Sequence, residues 1–248
     1  MKISNHRFEQ RMRQMQTLLR TLLVALSLVV GTAAYPGDVE DGNAAFARKD
    51  YATALKKYKS AAARGNAEAQ ISVGNFYNEG LGVVQDYAEA VRWWTLSAAQ
   101  GHASAQYNLG FMYSNGRGFL QDYVEAVHWY KLAAAQGNSM AQYSLGFVYH
   151  NGEGVVQDYA EAVRWYKLAA AQGESLAQSN LGYMYERGYG VVQDYVRAHM
   201  WTNLAAVRGA TIAVKNRDVF AAKMSTQQIA EAQKLARECQ ARNFKGCD

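Results

Sequence analysis

The chain has 248 residues, of which 50% are hydrophobic, and a formal net charge of +5. The hydrophobic fraction predicts an ordered chain across the repeated units described below. The charge does not predict a nucleic-acid partner. Residues 1–34 hold five of the 26 basic residues and one of the 21 acidic residues, which leaves 21 basic and 20 acidic residues in 35–248, whereas a nucleic-acid surface normally shows a basic patch.

The first predicted element, residues 1–34, is a signal peptide. Four arginines between positions 7 and 20 precede an apolar run from Leu22 to Val30, and small residues follow from Gly31 to Ala34. This order is typical of a secretory signal, and we expect cleavage after Ala34. The apolar run is shorter than the roughly 20 residues that span a bilayer, although an uncleaved anchor is the alternative. We expect a periplasmic or secreted protein with no membrane span after cleavage.

Residues 35–66 read as a degenerate capping repeat. Asp50, Tyr51, Ala54, Tyr58 and Gly65 each lie 36 residues before a matching residue, but the glycine loop of the later units is missing here.

Residues 67–210 contain four units at a fixed step of 36 residues. Four columns mark the step: Gly74, Gly110, Gly146 and Gly182; Asp86, Asp122, Asp158 and Asp194; Trp93, Trp129, Trp165 and Trp201; and Gly101, Gly137, Gly173 and Gly209. A period of this size is typical of a solenoid, in which each unit buries its apolar face against its neighbours.

Each unit predicts two helices. In residues 67–102, small or apolar residues at 73, 74 and 77 follow Gln70 at helical spacing, and Gly80 and Gly82 then end the first helix. The second helix starts at Asp86, which together with Glu89 predicts a capping-box-like pair. In the fourth unit Arg197 replaces the glutamate, which predicts a weaker cap. Because the aspartates recur in register, we interpret them as helix caps and not as catalytic acids.

Residues 211–248 are predicted to form a C-terminal helical cap. One helix covers about Thr211–Ala222, and another opens at Ser225 with Gln228 and runs to about Arg242, giving about twelve helices and no strands in total. The fold class is therefore all-α. Cys239 and Cys247 predict a short disulfide loop in an oxidising compartment, with two free thiols as the alternative. No metal site is expected, since nothing nearby completes four ligands.

The repeated unit A-x-A-Q-x-x-L-G-x-x-Y, followed by G-x-G-V-x-Q-D-Y-x-E-A-x-x-W-Y-x-x-A-A-x-Q-G, resembles the Sel-1-like repeat, a relative of the tetratricopeptide repeat. The resemblance covers about residues 39–210, and the tail from Met224 resembles that of bacterial secreted members. It implies a right-handed superhelical solenoid of helical hairpins that serves as an adaptor or scaffold for a protein or peptide partner, without a cofactor.

The resemblance also implies that the first helix of each hairpin lines a concave, ligand-binding face. The positions carried over as partner-binding are Ile71, Asn75, Tyr107, Phe111, Tyr143, Phe147, His150 and Tyr183. Most of these are aromatic, and exposed aromatic residues often mark partner sites. The alternative is that the rings pack one repeat against the next.

A second hypothesis is a cell-envelope hydrolase or inhibitor that acts on β-lactam or peptidoglycan substrates, because some cysteine-rich relatives have been associated with β-lactams. The sequence does not favour catalysis. It lacks S-x-x-K, G-x-S-x-G, H-E-x-x-H, C-x-x-C and P-loop motifs, and its repeats lack cysteine pairs. A third reading is self-assembly end to end.

Overall fold

The structure, a computed structural model, describes residues 37–247. The predicted signal peptide lies outside these residues. Twelve α-helices and no strands form the described part: α1 Asp38–Ala47, α2 Tyr51–Ala63, α3 Ala67–Glu79, α4 Tyr87–Ala99, α5 Ala103–Asn115, α6 Tyr123–Ala135, α7 Ser139–Asn151, α8 Tyr159–Ala170, α9 Ser175–Arg187, α10 Tyr195–Val207, α11 Thr211–Ala221 and α12 Thr226–Ala241. The all-α prediction and the helix number are confirmed.

Consecutive helices pair into antiparallel hairpins, and each hairpin packs on the next. The pairs are α1 with α2, α3 with α4, α5 with α6, α7 with α8, and α9 with α10, while α11 and α12 both pack on α10. The result is an all-α superhelical repeat fold. None of the helices in 37–247 has the length and apolarity needed to cross a bilayer.

A glycine in the first helix of each hairpin lets the second helix approach closely. A Cβ built at Gly110 would lie 2.6 Å from the Tyr130 ring, and one built at Gly146 would lie 2.5 Å from the Tyr166 ring. Because carbon atoms normally pack about 3.5–4.0 Å apart, no larger residue fits without rearrangement. The paired glycine and ring therefore set the spacing of the hairpin.

The ring in this position is not the residue of the repeated tryptophan column. Trp94, Tyr130 and Tyr166 lie against the glycines, whereas Trp93 and Trp165 are only partly buried. The guanidinium of Arg92 lies 5.2 Å from the Trp93 ring and that of Arg164 lies 4.3 Å from Trp165. Trp93 and Trp165 pack on apolar clusters that span the preceding hairpin and their own, whereas the second ring lies within its own hairpin against the glycine.

Aspartates cap the second helices as predicted, without forming capping boxes. The carboxylate of Asp158 accepts a hydrogen bond from the N–H of Glu161 at 3.0 Å. The N–H of Asp158 donates to the carbonyl of Tyr149 at 3.0 Å, so that N–H already has a partner. The carboxylate of Glu161 instead binds Arg164. The prediction of capping-box-like pairs is therefore wrong for the second hydrogen bond, the one from the N–H of the aspartate to the glutamate side chain.

The cap of the fourth unit keeps its geometry despite the loss of the glutamate. Asp194 accepts from the N–H of Arg197 at 2.9 Å, and the Arg197 guanidinium also donates to Asp194 at 2.5 Å. The arginine thus adds an ion pair to this cap.

Buried glutamines join successive repeats. The Gln142 amide donates to the carbonyl of Ala134 at 3.3 Å and its side-chain oxygen accepts from Gln172 at 2.8 Å. The same arrangement occurs at Gln70 with Gln100 and at Gln106 with Gln136. Each glutamine satisfies a buried polar group at a junction, which is where an unpaired group would destabilise the fold.

The C-terminal helices close the last repeat. A disulfide joins Cys239 in α12 to Cys247, with Cα atoms 5.2 Å apart. Cys239 is fully buried and lies in the core cluster formed with Tyr166 and Trp201. The bridge therefore holds the chain end against the repeat core.

Candidate functional site: a groove along the first helices

Three cavities follow one another along the first helices of the hairpins. Their volumes are about 280, 490 and 320 Å³. The first and second share Asn75 and Glu79, and the second and third share Tyr107 and Phe111, so they are adjacent. We call the residues that line them the groove, and the 320 Å³ cavity between α5 and α7 the central cavity.

The central cavity is walled by aromatic rings that keep part of their surface in solvent. Phe111 is 37% exposed and Phe147 is 42% exposed, while Tyr107 and Tyr143 are half-buried beside them. Met140 and Leu176 complete the apolar lining. The wall is therefore apolar, concave and incompletely covered by the rest of the described chain, which is the form of a binding surface.

Tyr107 and Tyr143 pack against buried rings of the core, which hold them in place. The Tyr107 ring centroid lies 5.9 Å from that of Tyr130, and the Tyr143 centroid lies 6.0 Å from that of Tyr166. Burial raises the pKa of Tyr107 to about 12. Burial also raises the pKa of Tyr130, whose hydroxyl lies 3.0 Å from the Ser114 hydroxyl. These phenols stay neutral at physiological pH and offer hydrogen bonds from fixed positions.

The neighbouring cavity is more polar. The side-chain oxygen of Asn75 accepts a hydrogen bond from the Trp94 indole N–H at 3.2 Å, and that N–H also reaches the Ile71 carbonyl at 3.3 Å. Asn75 is thereby fixed, and it replaces the phenylalanine found at this position in the next two units. This cavity is thus more polar than the central cavity beside it.

Comparison with protein families matches the Sel1 repeat at residues 67–102, 103–138, 139–174 and 175–209. The chain belongs to the Sel1 repeat family. Proteins built from Sel1 repeats are generally non-enzymatic scaffolds, and the fold commonly mediates protein–protein interaction. No curated protein is similar enough in sequence to match.

Solved structures include similar Sel1 repeat folds. A Sel1 repeat protein from Oxalobacter formigenes is 31% identical, with a TM-score of 0.64 over 83% of this chain and 77% of that one. The immunity protein Pa5087 from Pseudomonas aeruginosa is 19% identical, with a TM-score of 0.51 over 88% of each chain. The second similarity concerns the fold alone.

The groove of this Sel1 repeat chain contains six of the eight residues predicted from the family resemblance. Those that line it are Ile71, Asn75, Tyr107, Phe111, Tyr143 and Phe147. His150 and Tyr183 lie elsewhere. The His150 ring packs against Tyr159, Tyr183 and Tyr189, and burial lowers the pKa of His150. These two residues are half-buried and line none of the three cavities, and their part in partner binding stays a prediction.

The fourth Sel1 repeat contributes Leu176 to the central cavity, but a residue of the C-terminal cap binds near the far end of its first helix. Glu186 is only 5% exposed, and its carboxylate binds Lys223 at 2.7 Å and Arg187 at 2.9 Å. Ser179 is also buried. The repeat period alone could not predict this end, since α11 and α12 fall outside the period.

Glu153 and Tyr123 are among the groove residues that were not predicted from the sequence, and they line the central cavity from the glycine loop and the start of α6. Burial, followed by the negative charge of Glu153, raises the pKa of Tyr123. Glu153 stands where the other units have Leu81, Arg117 and Tyr189, so its variation among the repeats was the available signal. Within residues 37–247, no three His, Cys, Asp or Glu side chains cluster closely enough to hold a metal ion.

Proposed function

We propose that this Sel1 repeat chain is an exported scaffold or adaptor that binds a protein or peptide partner in its groove. The observation that carries the proposal is the set of half-exposed rings in the central cavity, above all Phe111 and Phe147. Aromatic side chains held rigidly at the centre of a surface are the usual hot spots of binding, because they bury a large area at a small cost in conformational entropy.

The shape and size of the groove favour an extended or helical segment of a partner. Three adjacent cavities occupy consecutive repeats, and polar residues such as Asn78 and Asn115 border the apolar centre. A standard interface buries roughly 800 Å² per partner. An apolar middle with a polar border is the common arrangement of such interfaces.

Export rests on the basic and apolar leader of residues 1–34 and on the Cys239–Cys247 disulfide. Disulfides persist mainly in oxidising compartments, including the bacterial periplasm. Mass spectrometry of the protein recovered from the periplasm of an expressing bacterium tests this part. We expect a mature chain that begins at Tyr35, and a full-length chain retained in the cytoplasm would contradict export.

Peptide display tests the binding surface. We expect the full chain to select peptides from a random library, and Phe111→Ser combined with Phe147→Ser to weaken their affinity by about a hundredfold, as loss of hot spots does. Matched controls are Val84→Ser and Val192→Ser, whose side chains are 85% and 88% exposed outside the groove. They should bind like wild type.

Circular dichroism of the double variant separates binding from packing. Helicity close to wild type with lost affinity supports the proposal. Loss of helicity would mean that the two rings hold the repeats together, and selection of peptides that bind the double variant equally well would contradict a groove site.

A further inference from the structure

The charged residues that line the groove are all acidic. Glu79 lines the first and second cavities and Glu153 lines the central cavity, and no Lys or Arg lines any of the three. This pattern contrasts with the near-neutral balance of the chain after residue 34. A surface with one sign of charge favours ligands of the opposite sign.

Glu153 has no ion pair within residues 37–247. Tyr123 and Tyr130 line the same cavity, and the negative charge of Glu153 adds to the effect of burial in raising the pKa of both. Two other half-buried or buried carboxylates are neutralised within the described chain. Glu186 binds Lys223 and Arg187, and Glu161 binds Arg164. A half-buried carboxylate beside apolar walls can therefore still gain from a cation supplied by a ligand.

The rings of this surface also show that they accept cations. The Arg117 guanidinium lies 5.7 Å from the ring centroid of Phe111, which lines the central cavity. This distance falls within the range of cation–π attraction. Within residues 37–247, no Lys or Arg is placed in this way over Phe147, Tyr107 or Tyr143, which also line the central cavity.

We propose that the central cavity binds an arginine or lysine side chain of a peptide, with its aliphatic stem against Phe111 and Phe147 and its charged group at Glu153. This inference rests on the proposed function and specifies the partner: a basic side chain flanked by apolar residues. Long basic side chains combine an apolar stem with a charged end, which matches an apolar wall bordered by one carboxylate.

The test uses the peptides that the full chain selects by display. We expect Arg or Lys to be enriched next to aromatic or aliphatic residues. In a synthetic copy of a selected peptide, replacing the basic residue by citrulline, which keeps the arginine shape without its charge, should weaken binding by about tenfold, the scale of a charge-assisted contact.

Glu153→Gln should weaken binding of the basic peptide by a similar factor and leave the citrulline peptide unaffected. Glu231→Gln, an equal change of charge at an exposed position of α12, is the matched control and should bind like wild type. Binding of the citrulline peptide by Glu153→Gln also reports that this variant is folded.

Two results would overturn the inference in different ways. The cation site would be refuted if the selected peptides depend on Phe111 and Phe147 but show no preference for a basic residue. It would also be refuted if these peptides bind Glu153→Gln as tightly as wild type. Either result leaves the proposed function standing. Failure to select any peptide whose binding depends on these two rings would refute both.

Discussion

Gly146→Ala tests whether the paired glycine and ring set the spacing of the hairpins. The substitution would ordinarily stabilise a helix by about 1 kcal/mol, because glycine is a poor helix former. Here the new Cβ would lie 2.5 and 2.6 Å from two atoms of the Tyr166 ring. Tyr166 is 1% exposed and its hydroxyl accepts a hydrogen bond from Asn180 at 3.1 Å, so the ring cannot move aside freely.

The expected net effect is destabilisation. An overlap of about 1 Å with a fixed ring belongs at the upper end of the overpacking range, about 3 kcal/mol. After subtracting the gain in helix propensity, we expect Gly146→Ala to lower the free energy of unfolding by about 2 kcal/mol. Urea denaturation followed by circular dichroism measures this difference.

The sign of the effect should reverse when the ring is removed. In a Tyr166→Ala background, Gly146→Ala should raise the free energy of unfolding by about 1 kcal/mol, because only the propensity gain remains. A wild-type-like or higher stability for the single variant Gly146→Ala would refute the close-approach account.

Two further predictions concern packing and pH. Trp129→Ala should lower the free energy of unfolding by about 3–5 kcal/mol, because the ring is buried. The loss should be larger than that for Trp165→Ala, because the Trp165 ring is partly exposed beneath Arg164. Equal losses in urea denaturation would contradict this prediction. Arg64, followed by Ser60, holds the pKa of Asp38 at about 2, below its ordinary value of 3.8. The ionised form is therefore favoured by folding, so the stabilisation should be present above about pH 4 and disappear as the pH falls towards 2. We expect Asp38→Asn to melt at a lower temperature than wild type at pH 7 and the difference to shrink below pH 4; a difference independent of pH in thermal melts would contradict the ion pair.

The sequence predicted the helices because their signals are local and occur four times. Gly116 and Gly152 take left-handed conformations at the ends of α5 and α7, with φ of 63° and 74°, and Asp122 and Asp158 cap the helices that follow. The first signal needs only a glycine, which has no Cβ to hinder the left-handed conformation. The second needs only a carboxylate close to a backbone N–H of the first turn. Repetition at one step then fixed the pairing of the helices.

Contacts between elements were predicted less well. The capping-box-like pair failed because a carbonyl from the preceding helix, that of Tyr149, takes the N–H of Asp158. The hydrogen bonds of Gln106 and Gln142 between successive repeats were not predicted either, because a glutamine among apolar core positions only interrupts the local apolar pattern. In both cases the deciding partner lies in another helix and leaves no mark in the local sequence.

The candidate site shows the same division. The positions of Phe111 and Phe147 followed from the family resemblance and the period. The packing of His150 and Tyr183 against Tyr159 and Tyr189, outside the three cavities, did not follow from the period. The role of Glu153 depends on one loop reaching over the central cavity, and the variation at its position among the repeats is the only signal that the sequence carries.

The central claim is that the groove, and not another surface, receives the partner. Photo-crosslinking tests it most directly, with a benzoylphenylalanine placed at position 147 in one variant and at position 84 in another, each mixed with a selected peptide. The account predicts that the peptide is attached at position 147 and not at position 84. Attachment at position 84 with none at position 147 would contradict it.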